Sequence, residues 1–209
     1  MAQHLSPALK KALKAAEAAI VADPRGELVL EHRRAIWAAM GEPEYDPDGF
    51  AEGLGHARRV ELAQLVSRSI LQYWTQALPG DTRATELLDK IDAYVQGEDS
   101  SGPMWDAIEA LSPSLEELAD QRAACVGYAA IHAAEVALRD EALEDPEPEP
   151  DAEPPDPDAP NPAGLDSAYF AVVACAGLED EEQNVRERRR FWTWYVQEAV
   201  PEAFTTFGA

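Results

Sequence analysis

The spacing of apolar residues in one segment constrains the fold of this chain more than any other feature. This segment runs from His56 to Leu78, HARRVELAQLVSRSILQYWTQAL, and places apolar residues three or four positions apart. This spacing is typical of a helix with one buried face, and the residues on that face are Val60, Ala63, Val66, Ile70, Tyr73, Trp74 and Ala77. We therefore predict a long amphipathic helix and a fold in which helices pack on helices.

Capping residues and apolar spacing predict further helices. Ser6 and Pro7 begin the first, because a serine oxygen can cap free amides and proline suits a first helical turn. Ser112 and Pro113 give the same signal for a long, alanine-rich helix that reaches about Leu143. Other helices are predicted from about Glu27 to Met40, after the turn Pro79–Gly80–Asp81 with Asp81 as cap, from Trp105 to Leu111, from Leu165 to Leu178, and at the end of the chain.

Missing patterns narrow the fold class. No segment alternates apolar and polar residues over a sustained length, and no period of roughly 20 to 50 residues repeats. The chain is 46% hydrophobic, which is enough for a substantial core. We predict an all-α fold, a single irregular multi-helix bundle. It is expected to form one domain over residues 1–209, helical in 6–143 and 165–204.

The segment from Glu144 to Pro162, EDPEPEPDAEPPDPDAPNP, interrupts this helical pattern. It holds eight of the sixteen prolines and eight acids, and it has no base. Such a composition forms neither helix nor core. We therefore predict a flexible, acidic, proline-rich loop over 144–164, inserted between two helices of the bundle.

The charge of the chain limits its partners. Aspartate and glutamate total 40 against 17 lysines and arginines, a net charge of −23, and without the proline-rich segment the balance is still 32 to 17. Such a surface repels phosphate backbones, so direct nucleic-acid binding is disfavoured. A basic protein partner is favoured, with solubility alone as the alternative explanation of the charge.

The cysteines and the N-terminal segment indicate a compartment. Cys125 and Cys175 lie in apolar runs without a CxxC motif, as expected of small buried residues in a reducing cytoplasm. Lys10, Lys11 and Lys14 interrupt the first apolar stretch, so no signal-peptide core is present. No later window has the apolar length of a membrane span. We predict a cytoplasmic protein.

Motifs for catalysis or metal binding were not found. His132 and Glu135 stand three apart on an alanine-rich helix, which we interpret as structural, and no GxSxG elbow or P-loop occurs. Acid pairs such as Glu116 and Asp120 are expected on any wet face of so acidic a chain. We therefore predict no enzyme, no cofactor and no metal. The histidines that fit no metal template are His4, His32, His56 and His132.

An aromatic cluster, FWTWY, follows the basic run RERRR near the end of the chain. In a helix, Phe191, Trp194 and Tyr195 lie along one side, and Trp192 lies on an adjacent apolar stripe. So wide an apolar stripe favours burial against more than one neighbour over an exposed binding patch. Stacking on nucleic-acid bases is disfavoured by the charge of the whole molecule.

Two blocks resemble a known family, the all-helical immunity proteins of bacterial polymorphic toxin systems, class five. The first is HARRVELAQLVSRSILQYWTQALPGDTRATELLDKIDAYVQGE, from His56 to Glu98; the second is LDSAYFAVVACAGLEDEEQNVRERRRFWTWYVQEAVPEAF, from Leu165 to Phe204. We interpret the shared residues as fold-defining, with the arginines, including Arg188, in internal ion pairs. The predicted fold-defining residues are Arg58, Arg59, Trp74, Pro79, Gly80, Asp81, Arg83, Asp166, Arg189, Phe191, Trp192, Trp194 and Tyr195.

The resemblance implies an intracellular protein that binds and neutralises a toxin encoded beside it. The acidity suggests that this toxin is basic, and a nuclease is the candidate that the charge favours. A membrane-active or peptide-bond-cleaving toxin stays open. The alternatives are a helical adaptor or chaperone for a secreted effector, and an enzyme with a cryptic acid pair.

Two acidic stretches are the predicted toxin-binding surfaces. One is the loop Glu42 to Gly55, which has two prolines, three glycines and five acids and is expected to form at most a turn of helix. The other is the cluster from Glu179 to Glu182. Both are equally consistent with plain solvated loops. The candidate partner-binding residues are Glu42, Glu44, Asp46, Asp48, Glu52, Glu179, Asp180, Glu181 and Glu182.

Overall fold

The computed structural model describes residues 5–42, 44–45, 51–140, 164–179 and 181–207. Two short strands, β1 (Glu44–Tyr45) and β2 (Ala51–Glu52), pair antiparallel before the third helix. The prediction of an all-α, irregular multi-helix bundle is confirmed. Its helices are α1 (Pro7–Ala22), α2 (Leu30–Met40), α3 (Gly53–Ser69), α4 (Leu71–Ala77), α5 (Arg83–Val95), α6 (Gly102–Leu115), α7 (Gln121–Arg139), α8 (Ser167–Ala176), α9 (Glu182–Trp194), a π-helical segment (Tyr195–Ala199) and α10 (Val200–Thr206).

Helix α7 lies at the centre of the bundle. It packs against α3, α4, α5, α6 and α8, and its inward residues are small, including the fully buried Ala130 and Ala134. A methyl group added at Gly127 would come within 2.3 Å of the Leu115 side chain on α6. Small side chains therefore let the neighbouring helices approach α7 closely, as the alanine-rich sequence predicts.

Side-chain caps fix where several helices begin. The Ser6 hydroxyl accepts from the Leu9 amide at 3.1 Å, which confirms the predicted start of α1. Asp166 caps α8 in the same way, accepting from the amides of Ala168 at 2.8 Å and Tyr169 at 2.9 Å. Each cap satisfies amides that the first helical turn leaves without partners.

The predicted start of the long alanine-rich helix at Ser112 and Pro113 is wrong. Both residues are exposed and lie inside α6, whose buried face continues past them from Met104 to Leu115. The long helix begins at Gln121 instead, because the Asp120 carboxylate accepts from the Arg122 amide at 2.9 Å and the Ala123 amide at 3.1 Å. Burial therefore overrides the local start signal of a Ser-Pro pair.

The predicted helix from His56 to Leu78 is divided in two. Helix α3 begins three residues earlier, at Gly53, and ends at Ser69, and α4 begins after Ile70. The Ser67 hydroxyl shares its one proton between the Ala63 carbonyl, 2.8 Å away, and the Ala129 carbonyl of α7, 2.9 Å away. The Ser69 hydroxyl donates to the Val66 carbonyl at 2.7 Å. Such serine bonds compete with the helix's own hydrogen bonds and bend it.

The aromatic cluster near the chain end is mostly interior. Phe191 is 7% exposed, and Trp192 and Tyr195 are each 1% exposed, so core packing is confirmed for these three rings. Trp192 meets Tyr195 edge to face at 5.5 Å, and the Tyr195 hydroxyl accepts from the Trp37 indole at 3.0 Å. Trp194 is half-buried. The aromatic residues thus join α9 and the π-helical segment that follows it to α2 within the core.

The two cysteines are half-buried, which is less burial than the sequence predicts. Burial raises the pKa of the Cys125 thiol to about 11 and also raises that of Cys175. Both thiols are therefore un-ionised near neutral pH.

Two further predictions concern the proline-rich insertion and membrane-spanning helices. The predicted proline-rich insertion, 144–164, lies outside the described residues except for Gly164. In the part of the chain that is described, no helix combines the length and the apolar character required to cross a bilayer.

Candidate protein-binding site

Arg59 of α3 anchors the chain just before the acidic loop. Its Nε lies 2.8 Å from Oδ1 of Asp140, and both side chains are at most 2% exposed. Its Nη1 donates to the carbonyl oxygens of Gly41 at 2.6 Å and Trp37 at 3.2 Å, at the end of α2. One buried guanidinium therefore joins the C-terminal ends of α2 and α7 to α3.

Arg58 reaches the same region from the next position of α3. It donates to the carbonyl oxygens of Met40 at 2.9 Å and Phe204 at 3.1 Å, and its guanidinium lies 3.7 Å from the centre of the Phe204 ring. The pair Arg58–Arg59 thus satisfies carbonyls that the helix ends leave without partners. It also fixes the point from which the acidic loop leaves the bundle.

The acidic loop leaves and returns at one place. A Cβ added at Gly55 would lie 2.7 Å from the Gly41 carbonyl carbon, so the two backbones touch where only glycine fits. Beyond this contact, Glu44 of β1 stands directly opposite Glu52 of β2. Like charges in that position repel each other.

We define the acidic hairpin as residues 42, 44, 45 and 51–54, and its residues 42, 44, 45 and 52–54 are exposed. The structure pairs Glu44 with Glu52. Glu42, two residues before Glu44, is also exposed. Tyr45 is 41% exposed and Leu54 is 45% exposed, so apolar groups accompany the carboxylates. The other two predicted residues of this loop, Asp46 and Asp48, lie outside the described residues.

The second predicted acidic cluster lies elsewhere on the bundle. Glu179, Glu181 and Glu182 are exposed before and at the start of α9, and Asp180 lies outside the described residues. Helix α9 packs on α8 and α1, whereas the hairpin packs on α3 and α7. The two clusters therefore rest on different helices.

The predicted turn Pro79–Gly80–Asp81 packs against Trp74 at the end of α4. The Trp74 indole donates to the Asp81 carbonyl at 2.9 Å, and Gly80 has a φ of +88° that favours glycine. Arg83 contacts the Asp81 carboxylate at 2.7 Å and donates to the Ser114 hydroxyl of α6 at 3.0 Å. The hydrogen bonds from Arg83 lower the pKa of the Asp81 carboxyl. Pro79 is the first residue of this turn.

Two more arginines hold the turn between α1 and α2 against α9. Arg188, 1% exposed, donates to the Arg25 carbonyl at 3.0 Å and lies 3.3 Å from the Glu27 carboxylate. Arg189 donates to the Asp23 carbonyl at 2.8 Å. The arginines that the sequence singles out therefore contact residues of other elements, while their status as fold-defining residues stays a prediction.

Sequence reasoning missed two partners of buried charges. Arg33 lies 3.1 Å from the Asp166 carboxylate, with both side chains nearly buried, and Asp140 is the partner of Arg59. Asp140 has a left-handed φ of 52° at the end of α7. The pairs are 133 and 81 residues apart in sequence, so no local signal identifies them.

A small internal cavity of about 30 Å³ lies between α3, α7 and α8. His132 and Asp166 line it, and His132 Nδ1 is buried without a hydrogen-bond partner in the described residues. A cavity of this size accommodates a water molecule rather than a metabolite. Within the described ranges, no group of three or more His, Cys, Asp or Glu side chains is arranged to hold a metal ion.

Sequence reasoning also missed an open groove of about 740 Å³ along α9. We call it the arginine–aromatic groove. Trp194, at the edge of the buried aromatic cluster, forms part of its wall. The residues that line it are Ser69, Gln72, Tyr73, Cys175, Arg186, Glu187, Arg189, Arg190, Phe191, Thr193, Trp194 and Glu198.

The fold and these surfaces define a class of protein, an acidic all-helical bundle with an exposed acidic hairpin and an arginine–aromatic groove. The family model of the immunity protein Imm5 matches residues 13–202, and the chain belongs to this family. The match extends beyond the two blocks in which the sequence resembles the family, since it includes most of α1 and all of α2. A comparison with curated proteins finds none that matches the chain.

Proposed function

We propose that this protein binds a cognate bacterial toxin and neutralises it by stoichiometric protein contact, without catalysis and within the cytoplasm of the producing cell. Membership of the Imm5 immunity protein family over residues 13–202 carries the proposal. The fold is consistent with this role, because a rigid helical body presents surface groups in fixed positions.

The toxin is basic in this proposal, and a nuclease is its favoured chemistry. The chain has a net charge of −23, so long-range attraction would accelerate its encounter with a cationic partner. A nuclease binds phosphates through cationic side chains, and carboxylates can occupy the same positions. Fast association matters because the target kills the cell that fails to inhibit it.

The acidic hairpin is the proposed contact for the basic surface. Its base is fixed by the Gly41–Gly55 contact and by Arg59, so its carboxylates are held in place before binding. Glu44 and Glu52 repel each other across the strand pair, and a lysine or arginine of the toxin between them would relieve that repulsion. Glu179, Glu181 and Glu182 stay a second predicted contact.

The test is co-expression with the product of the adjacent toxin gene. Growth rescue together with a stable complex and inhibition of the purified toxin is the expected result. Binding without rescue would instead support a carrier for a secreted effector. Failure of the wild-type protein both to bind and to rescue would overturn the proposed function.

Charge reversal tests the hairpin itself. E44K/E52K should slow association with the toxin about tenfold at low salt and weaken the dependence of the on-rate on ionic strength. E116K/E117K is the matched control, because it changes the net charge equally at two exposed glutamates at the end of α6. Equal on-rates for the two variants would remove the hairpin from the interface.

A further inference from the structure

The arginine–aromatic groove differs in chemistry from the rest of this acidic chain. Arg186 and Arg190 stand four residues apart on α9, which places them on the same side of the helix. Arg186 is exposed and forms no ion pair or hydrogen bond within the described part of the chain. Arg190 is 82% exposed, and its contact with Glu187 is 3.6 Å long on the same helix, which contributes little stability. Two cations are thus available to a partner.

Aromatic rings also line the groove. Tyr73 of α4 and Trp194 of α9 both line it, and Trp194 lies 5.7 Å from the buried Phe191 ring, measured between ring centres. Trp, Tyr and Arg are the residue types that most often carry binding energy at protein interfaces. The volume of about 740 Å³ is large enough for several side chains of a partner segment.

The charges around the groove indicate where an anion would bind. A carboxylate between Arg186 and Arg190 would relieve the repulsion of these two cations. Glu187 and Glu198 also line the groove, and they disfavour a second carboxylate beside the first. A large apolar side chain next to the carboxylate would pack against Trp194.

We propose that this groove binds an acidic segment of the toxin, with one carboxylate between Arg186 and Arg190 and an apolar or aromatic side chain against Trp194. The inference rests on the proposed function, and it adds a contact of opposite sign to that of the acidic hairpin. Two contacts of opposite charge on one protein fix the orientation of a partner and reject partners that match only one of them.

The first test compares two charge-neutralising variants in binding to the product of the adjacent toxin gene. R186Q/R190Q should raise the Kd about tenfold, mostly through faster dissociation. K10Q/K14Q is the matched control, because it removes two exposed cations with the same spacing on α1, and its Kd should stay within about twofold of wild type. A groove variant that binds as tightly as the control would overturn the inference while leaving the proposed function intact.

The second test identifies the occupant of the groove. A photo-crosslinking residue, p-benzoylphenylalanine, replaces Thr193, which is exposed and lines the groove. The toxin peptide recovered by mass spectrometry should contain aspartate or glutamate beside an apolar residue. A crosslinked basic peptide, or no crosslink in a complex that forms and protects cells, would overturn the assignment. If the wild-type protein neither binds nor rescues, the proposed function fails and this inference fails with it.

Discussion

Two pairs of arginines, Arg58–Arg59 on α3 and Arg186 with Arg190 on α9, use the same side chain in opposite ways. The first pair is buried, and its guanidinium groups contact the Asp140 carboxylate and carbonyls at the ends of two helices, α2 and α10. The second pair lines an open groove. A guanidinium can be buried only where acceptors surround it. The comparison therefore separates arginines with internal partners from arginines that lie exposed at the surface.

The largest effect is expected from the buried pair. R59M leaves the Asp140 carboxylate buried without its cation, so the free energy of unfolding should fall by about 3–5 kcal/mol. Denaturant titration followed by circular dichroism measures the change. The double variant R59M/D140N removes both charges and keeps a residue type that tolerates the left-handed φ at position 140, so it should recover part of the loss. A single variant as stable as wild type would show that this buried pair does not stabilise the fold.

A smaller loss is expected at Arg58. R58A removes the hydrogen bonds to the Met40 and Phe204 carbonyls and should cost about 1–3 kcal/mol of unfolding free energy. R58K keeps the charge but not the planar fork that reaches both carbonyls, so it should lose most of the same amount. Equal stability of R58K and wild type would mean that the positive charge alone accounts for the contribution of Arg58 to the free energy of unfolding.

Glu61 of α3 extends the comparison to a carboxylate that no arginine neutralises fully. Burial raises its pKa above the usual 4.5, and Asp92 and Glu202 raise it further. The stability that protonated Glu61 provides is present below pH 4.5 and is lost as the pH rises through its pKa in the folded protein. E61Q should therefore raise the Tm at pH 7 and have little effect below pH 4.5. A Tm difference that does not change with pH would contradict this account.

The smallest effect on stability is expected at the groove. R186Q/R190Q should change the free energy of unfolding by no more than about 0.5 kcal/mol, because neither arginine has a buried contact to lose. The loss in free energy of unfolding should therefore be much smaller for R186Q/R190Q than for R59M, when both variants are measured under the same conditions. A loss comparable to that of R59M would show that the groove arginines also hold the fold.

The features that the sequence predicts well are local ones. The cap at Ser6, the buried face of α3 and the close packing of the alanine-rich α7 depend on residues a few positions apart, so the spacing of residue types is sufficient to find them. The break at Ile70 depends in part on Ser67 reaching a carbonyl of α7, which the sequence around Ser67 does not reveal.

The candidate site was harder to predict. The sequence identifies the acidic loop by composition, but the pairing of Glu44 with Glu52 and the contact of Gly41 with Gly55 are properties of the folded chain. The groove was missed because the pattern FWTWY indicates a buried stripe, and Trp194 is the member of that stripe that stays half-buried. A π-helical turn follows Trp194 and changes the phase of the helix there, which a regular spacing does not anticipate.

Asp140 and Asp166 stand just outside the two ends of segment 141–163, and each is held by an arginine from the first third of the chain, Arg59 and Arg33. Side-chain bonds on both sides of the segment therefore position α7 and α8. Proteolytic nicking between the two aspartates would then give two fragments that stay associated and co-purify.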